Sequence, residues 1–428
     1  MKKYLFFALA LAGMLSSCSN DDIVSGGSDD YRTNESLPVP IKIGFGNIAK
    51  VTRGTGTVGS TNATTSNEWK GQKVNIYMLN KDTVNNDSLR LAKDQYGIIY
   101  RDSVFVTPIG VDEGVAEFEN NHIKYYPAQG NFDFYGYRLD DAVATFASDF
   151  NANGAAKDSI SIDFEINGSQ DIMVAKADTT GVIVNDKDSV KAKERAYSAY
   201  SARHGLQPTL AFKHLLTRLA FNVIPGDSAV TKAGAAVSID SIMIKTVNKG
   251  RLIVAKRIDL PGKQQYIEWG TGGAGTILPA DSAELWLMQR DTLTTPVATT
   301  EADPLIKLRS VSLEGRDSIG TVEAGKWYPV ITPIGEALLV QPGVDKYYME
   351  VYMSQEVPTN TDPLNPEPRK WENVYKTPIS PATTPFAEGT SYNVNITVWG
   401  LEEIIVTTKL TKWEDGGTIS INGEDLGF

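Results

Sequence analysis

The chain has 428 residues, with 41 Lys and Arg against 52 Asp and Glu, and a single cysteine. That length supplies material for two or three cored domains, and the acidic balance argues against a nucleic-acid binder, whose affinity rests on clustered positive charge. One cysteine excludes an intrachain disulfide, and a Cys-His catalytic pair or a thiolate zinc site finds no support in the remaining spacing.

In chain order, residues 1–17 read as a secretory leader: Lys2 and Lys3, an apolar run over 4–15, then Ser16 and Ser17. The run is too short to stay in a bilayer as a spanning helix. Leu15-Ser16-Ser17-Cys18 is the bacterial lipobox pattern, which predicts acylation of Cys18 and of its new amino terminus. Loss of the leader also removes Lys2 and Lys3 and makes the chain still more acidic. Ser19-Asn20-Asp21-Asp22 follows at once and reads either as a surface-export signal or as an acidic tether. Residues 18–40 form a polar, lipid-anchored linker that contains Arg32.

Residues 41–53 are the stretch around which the chain is organised. Ile41, Ile43 and Phe45 share one face at period two, with Lys42, Gly44 and Gly46 on the other, the pattern of a half-buried strand. Residues 54–67 are almost only Gly, Ser, Thr, Asn and Ala, too poor in apolar groups to offset the entropy of ordering them. Arg53 is therefore expected within reach of a trypsin-like protease. Cutting at the rival Arg32 would free the lipid tether and leave the strand in place.

Further strands are predicted where Val74, Ile76 and Met78 alternate, over 97–109 and 114–118, over the aromatic-rich 131–137, and over 160–166. Residues 140–150 read as one or two helical turns, and 178–208 as a linker in which 190–204 is helical or loose. In the run 210–223, Leu210 and Phe212 share one parity while Leu215, Leu219, Phe221 and Val223 take the other, so a single strand requires a bulge near His214. Strands are predicted again over 237–244, 251–258, 283–288, 305–313, 347–353 and 392–398, with an irregular Pro-rich loop at 359–369. Many short strands with turn signals between them predict sandwiches.

Catalytic chemistry is sparse. The histidines are His122, His204 and His214, and His214 sits in the apolar run as a strand residue rather than a ligand. The glycine-rich 270–275 lacks the lysine of a phosphate loop. Residues 149–154 match the first half of a calcium loop, but the twelfth position is Ile160 where a bidentate glutamate is needed. No metal, cofactor or enzymatic activity is predicted. Asp followed by Ser or Thr and an apolar residue recurs, which makes Thr83, Ser103, Ser159, Ser189, Ser241, Ser282 and Ser318 candidate O-glycosylation sites; the same pattern also ends a turn before a strand.

The lipobox, the strand ending at Arg53, the 210–223 run and the alternating block 392–413, in that order, resemble the fimbrillins, the Mfa-like fimbrial subunits of Bacteroidales type V pili. The resemblance implies an all-β chain of two tandem transthyretin-like β-sandwich domains, at 41–205 and 206–428. It implies a lipoprotein on the outer membrane surface, cut after Arg53 by an Arg-specific protease, so that the strand 41–53 leaves with its lipid and the chain joins a fimbrium that serves adhesion. The vacated groove would take a strand from 401–428 of another subunit. Ile404, Val406 and Leu410 are donor candidates, with Ile419 and Ile421 beyond Trp413, although Ile405 breaks the parity and the block also reads as an integral strand. The rival expectation is a surface glycan-binding lipoprotein that keeps its anchor and uses exposed Trp and Tyr as stacking platforms.

Overall fold

The computed structural model describes residues 37–45, 72–81, 98–108, 114–118, 123–128, 131–148, 159–177, 197–203, 206–232, 234–256, 265–272, 276–290, 305–315, 329–357, 369–382, 385–401 and 404–411. The first elements are β1 (Gly44–Phe45), β2 (Lys73–Lys81), β3 (Ile98–Pro108), β4 (Gly114–Phe118), β5 (Asn131–Arg138), β6 (Val143–Ser148), β7 (Ser159–Glu165), β8 (Met173–Lys176) and the short helix α1 (Ala199–Arg203). They are followed by β9 (Thr209–Leu210), β10 (Lys213–His214), β11 (Thr217–Pro225), β12 (Val237–Val247), β13 (Lys249–Lys256), β14 (Tyr266–Trp269), β15 (Ser282–Trp286) and β16 (Met288–Arg290). The last are β17 (Leu305–Lys307), β18 (Val311–Ser312), β19 (Thr332–Val340), β20 (Tyr347–Val357), β21 (Arg369–Ile379), β22 (Ser391–Val398) and β23 (Ile404–Thr411). The chain is all-β, as expected.

Two hydrophobic cores organise these strands. Around the first, an eight-stranded sheet runs in the order β10, β8, β5, β2, β3, β4, β1, β9. Its two edge strands are neighbours in sequence, with only Ala211 and Phe212 between them. Three extended residues span at most about 11 Å, so the sheet curls until its edges almost meet. A second sheet, β14, β13, β7, β6, completes this body. Burial on both faces explains why β5 is aromatic at both parities: Phe132, Phe134 and Tyr135 are all inaccessible, and Tyr126 and Tyr197 pack edge-on against Phe134. Around the second core, the sheets β19, β11, β22, β23 and β15, β12, β20, β21 face each other, with β18 alongside β12.

The run 210–223 is not one bulged strand. It is three strands, each in a different setting: β9 pairs parallel with β1, β10 antiparallel with β8, and β11 lies between β19 and β22. The parity shifts between Phe212 and Leu215, still within the first core, because the chain breaks its extended run around β10; the change of core follows after Leu216. Leu210, Phe212, Leu215 and Leu216 pack in the first, and Leu219, Phe221 and Val223 in the second. Within β11 the burial then alternates strictly.

A division at 205/206 also fails to follow the sheets. β9 and β10 belong to the first body, and the chain returns to it from β12 with β13, which pairs with β7 on one side and β14 on the other. The return passes through Asn248, which is buried, donates to the Ile166 carbonyl at 3.0 Å through Nδ2 and to the Asp281 carbonyl at 2.8 Å through its backbone. The expected helical turns over 140–150 are likewise replaced. Asp140 and Asp141 form a left-handed turn, with φ of 46° and 61°, and β6 begins two residues later. Helix within 190–204 is confined, among the described residues, to α1.

One glycine permits the crossing of the first sheet by the 209–214 segment. A Cβ on Gly136 would stand 2.7 Å from the Phe212 ring and 3.2 Å from Leu210. Both neighbours are buried and have little room to move. Gly136→Ala is therefore expected to destabilise the first body by about 1–3 kcal/mol, read as a lower urea midpoint.

Candidate functional site: the N-terminal strand in its groove

The site is the extended segment 39–45. Alternation sends Val39, Ile41, Ile43 and Phe45 to one side, where each is at most 3% exposed. The Phe45 ring stacks on Phe212 at 6.0 Å. Four such side chains represent on the order of 6–12 kcal/mol of apolar burial, comparable to the net stability of a domain.

The backbone is bonded on both flanks. On one side the Tyr126 N–H donates to the Val39 carbonyl (2.9 Å), the Ile41 N–H to Lys124 O (2.8 Å), and the Ala116 N–H to Ile43 O (3.0 Å). Here Gly44 and Phe45 face Val115 and Gly114 antiparallel. On the other side the Gly44 N–H donates to Pro208 O at 2.9 Å, and Gly44 and Phe45 lie parallel to Thr209 and Leu210. Side chains add to the clasp: Gln207 Oε1 accepts from the Lys42 N–H at 3.2 Å, and Arg203 Nη2 donates to the Leu37 carbonyl at 2.8 Å. The segment is thus a middle strand, and without it β4 and β9 would face each other across a strand-wide gap. Sequence periodicity located its buried face; Val39, Gln207, Arg203 and the parallel partner β9 carried no local signal.

The remaining predicted residues are dispersed. Cys18, Arg32, Arg53, Thr83, Ser189, Ser318, Ile419 and Ile421, with the half calcium loop at 149–154, lie outside the described residues. Ile404 and Val406 are buried in the second core. Their strand, β23, pairs with β22 along its full length, from Val398 opposite Ile404 to Ser391 opposite Thr411, with Leu410 opposite Tyr392. It is an integral strand of the second body, as the alternative reading had it, rather than a loose tail. Ser103 and Ser241 lie within β3 and β12, whereas Ser159 and Ser282 begin β7 and β15. Ser103 Oγ donates to Asn75 Oδ1 at 2.8 Å. Asp281, before Ser282, holds the glycine-rich loop by accepting from the Thr271 N–H (2.9 Å), Thr271 Oγ1 (2.6 Å) and the Leu278 N–H (2.6 Å).

A polar cluster in the first body was not legible in the sequence. His214 Nδ1 meets the Asp171 carboxylate, Arg138 meets Asp140, and the Asp171 N–H donates to Asp140 Oδ2 at 3.2 Å. All four side chains are at least nine-tenths buried. They come from β5, the turn after it, the 167–172 loop and β10, so they fasten the end of the 209–214 segment. His214 is a buried strand histidine that pairs through Nδ1 with Asp171.

No family model matches the chain, and no curated protein matches it. Solved structures do. A Bacteroides uniformis protein assigned to cell adhesion is 12% identical, over 89% of this chain and 99% of that one, with a TM-score of 0.38. A fimbrial assembly protein from Parabacteroides distasonis is 11% identical, over 90% and 99%, with a TM-score of 0.33. The fimbrial anchor protein Mfa2 from Porphyromonas gingivalis is 7% identical, over 90% and 100%, with a TM-score of 0.29. Likenesses at this level leave the functional reading to the geometry of the chain itself.

The polar cluster makes stability depend on pH. Burial pushes the Asp140 carboxyl up from its usual 3.8 to about 7; Arg138 opposes the shift and the Asp171 carboxylate adds to it. The folded state holds this proton more tightly than the unfolded state does, so its contribution is full below pH 3.8 and lost as pH rises through about 7. Asp140→Asn is expected to flatten the fall in urea midpoint between pH 5 and pH 8.

Proposed function

We propose that this chain is a structural subunit of a cell-surface fimbria, exported as a lipoprotein through Cys18, cut after Arg53 and polymerised by strand replacement. The observation that carries the reading is segment 39–45: it lies between two strands of its sheet, fills the first core with four side chains, and precedes the proposed cut. A cut after Arg53 leaves that segment held by non-covalent contacts alone.

Its departure opens a groove with defined rules of entry. The incoming strand runs antiparallel to β4 and parallel to β9, and presents an apolar residue at every second position to meet Phe212 and its neighbours. Such a strand recovers both the main-chain bonds and the apolar burial. In this reading the donor comes from 401–428 of another subunit. Ile404 and Val406 serve only if β23 leaves β22, so Ile419 and Ile421, past the end of β23, are the economical choice.

The experiment is treatment of the purified precursor with an Arg-specific protease, followed by intact-mass analysis and gel electrophoresis in SDS without boiling. The expected result is a cut after Arg53 with a ladder of oligomers, which Arg53→Ala abolishes. Ile419→Asp with Ile421→Asp should leave cleavage unchanged and remove the ladder. A ladder formed equally by Arg53→Ala chains that still carry residues 41–53 would refute strand replacement.

A further inference from the structure

The first body carries a cleft that strand replacement does not use. Its volume is about 780 Å³, inside the range of roughly 300–1,000 Å³ typical of small-molecule sites. It opens where the exposed edge strand β6 stands over β2, β3 and β5, and its lining combines aromatic rings with planar polar groups. Phe105 and Phe146 stay 41% and 43% exposed although both sit on strands. Arg101 lies 5.2 Å from the centre of the Phe146 ring and Lys73 5.9 Å from that of Phe105, so each ring has a cation over one face.

The polar part of the lining is built rather than incidental. Arg138 is nine-tenths buried and pairs with Asp140, yet its Nη1 has no hydrogen-bond partner. Asn75 accepts from Ser103 through its side-chain oxygen. The turn that brings Asp140 and Asp141 to the cleft holds two consecutive non-glycine residues in the left-handed region, a conformation that aspartate tolerates better than most residues but still at a cost.

This chemistry narrows the occupant. A wholly apolar ligand would leave Arg138 Nη1 without a partner, and in the lining Lys73 and Arg138 are balanced by Asp140 and Asp141, so neither a polyanion nor a polycation is favoured. A sugar ring has both features required, a C–H face for the phenyl groups and a rim of hydroxyls that donate and accept. We propose that the cleft binds one or two residues of a neutral saccharide. This goes beyond assembly, and it concerns the uncut chain, so it stands or falls separately from strand replacement.

The test applies the uncut full-length protein to an array of immobilised neutral oligosaccharides, then titrates the saccharide retained most strongly. The wild type should retain a saccharide, and the Phe105→Ala, Phe146→Ala double variant should bind it at least tenfold more weakly. Asn75→Ala, which keeps both rings, should also weaken binding, and Tyr348→Ala, an exposed aromatic in the second body, should leave it unchanged. Thermal melts of the variants should match the wild type, since both phenylalanines are already part exposed. Retention of nothing by the wild type, or equal binding by wild type and cleft variants, or loss caused by Tyr348→Ala, overturns the proposal.

Discussion

Insertion of segment 39–45 between β4 and β9 is the contact on which the first body depends. Antiparallel bonding on one flank and parallel bonding on the other make this short stretch the joint of a sheet that has curled almost back on itself. A strand at an open edge could leave and expose one row of unpaired groups. A strand at this position exposes two rows and a hydrophobic trough, so its place must be refilled for the body to persist. The same geometry carries a polarity, because the segment in place runs antiparallel to one wall and parallel to the other.

The joint is braced from the second body. The chain that forms β9 and β10 continues directly into β11, the strand flanked by β19 and β22 in the second core. The buried pairs Arg138–Asp140 and His214–Asp171 pin that segment where it leaves the first sheet. A second crossing at Asn248 sends β13 back to β7, with β14 on its other side, and β19 itself is shared, with Leu339 in the first core and Leu338 and Val340 in the second. The two cores are consequently interleaved along the chain, and a change in the groove has a covalent route to the far sandwich.

Much of the strand content was legible because alternation is a local property. Strands at 74–78, 160–166 and 237–244 announced themselves by it, and so did the buried face of Ile41, Ile43 and Phe45. β21 did not: as an edge strand it carries Trp371 and Val374 in partly solvated positions, so its apolar residues do not fall on one face. The turn of Asp140 and Asp141 was read as helical because left-handed aspartates and helical ones look alike in sequence. The cleft was invisible, since Asn75, Phe105, Arg138 and Phe146 sit on four different strands.

What the chain's own order of residues determined is the class of fold, the orientation of each side chain relative to its strand, and the presence of one apolar ribbon ahead of a polar tract. Periodicity of two states which residues turn inward, and nothing more. Which core they turn toward, which strands flank them and in which direction were settled only by packing, because strand partners lie up to 173 residues apart along the chain, as Arg218 and Ser391 do. The parity change within 210–223 is the clearest case. As sequence it is an irregularity, and in three dimensions it is the approach to a crossing: the backbone breaks its alternation around β10 while still in the first hydrophobic interior, and serves the second from Leu219 onward.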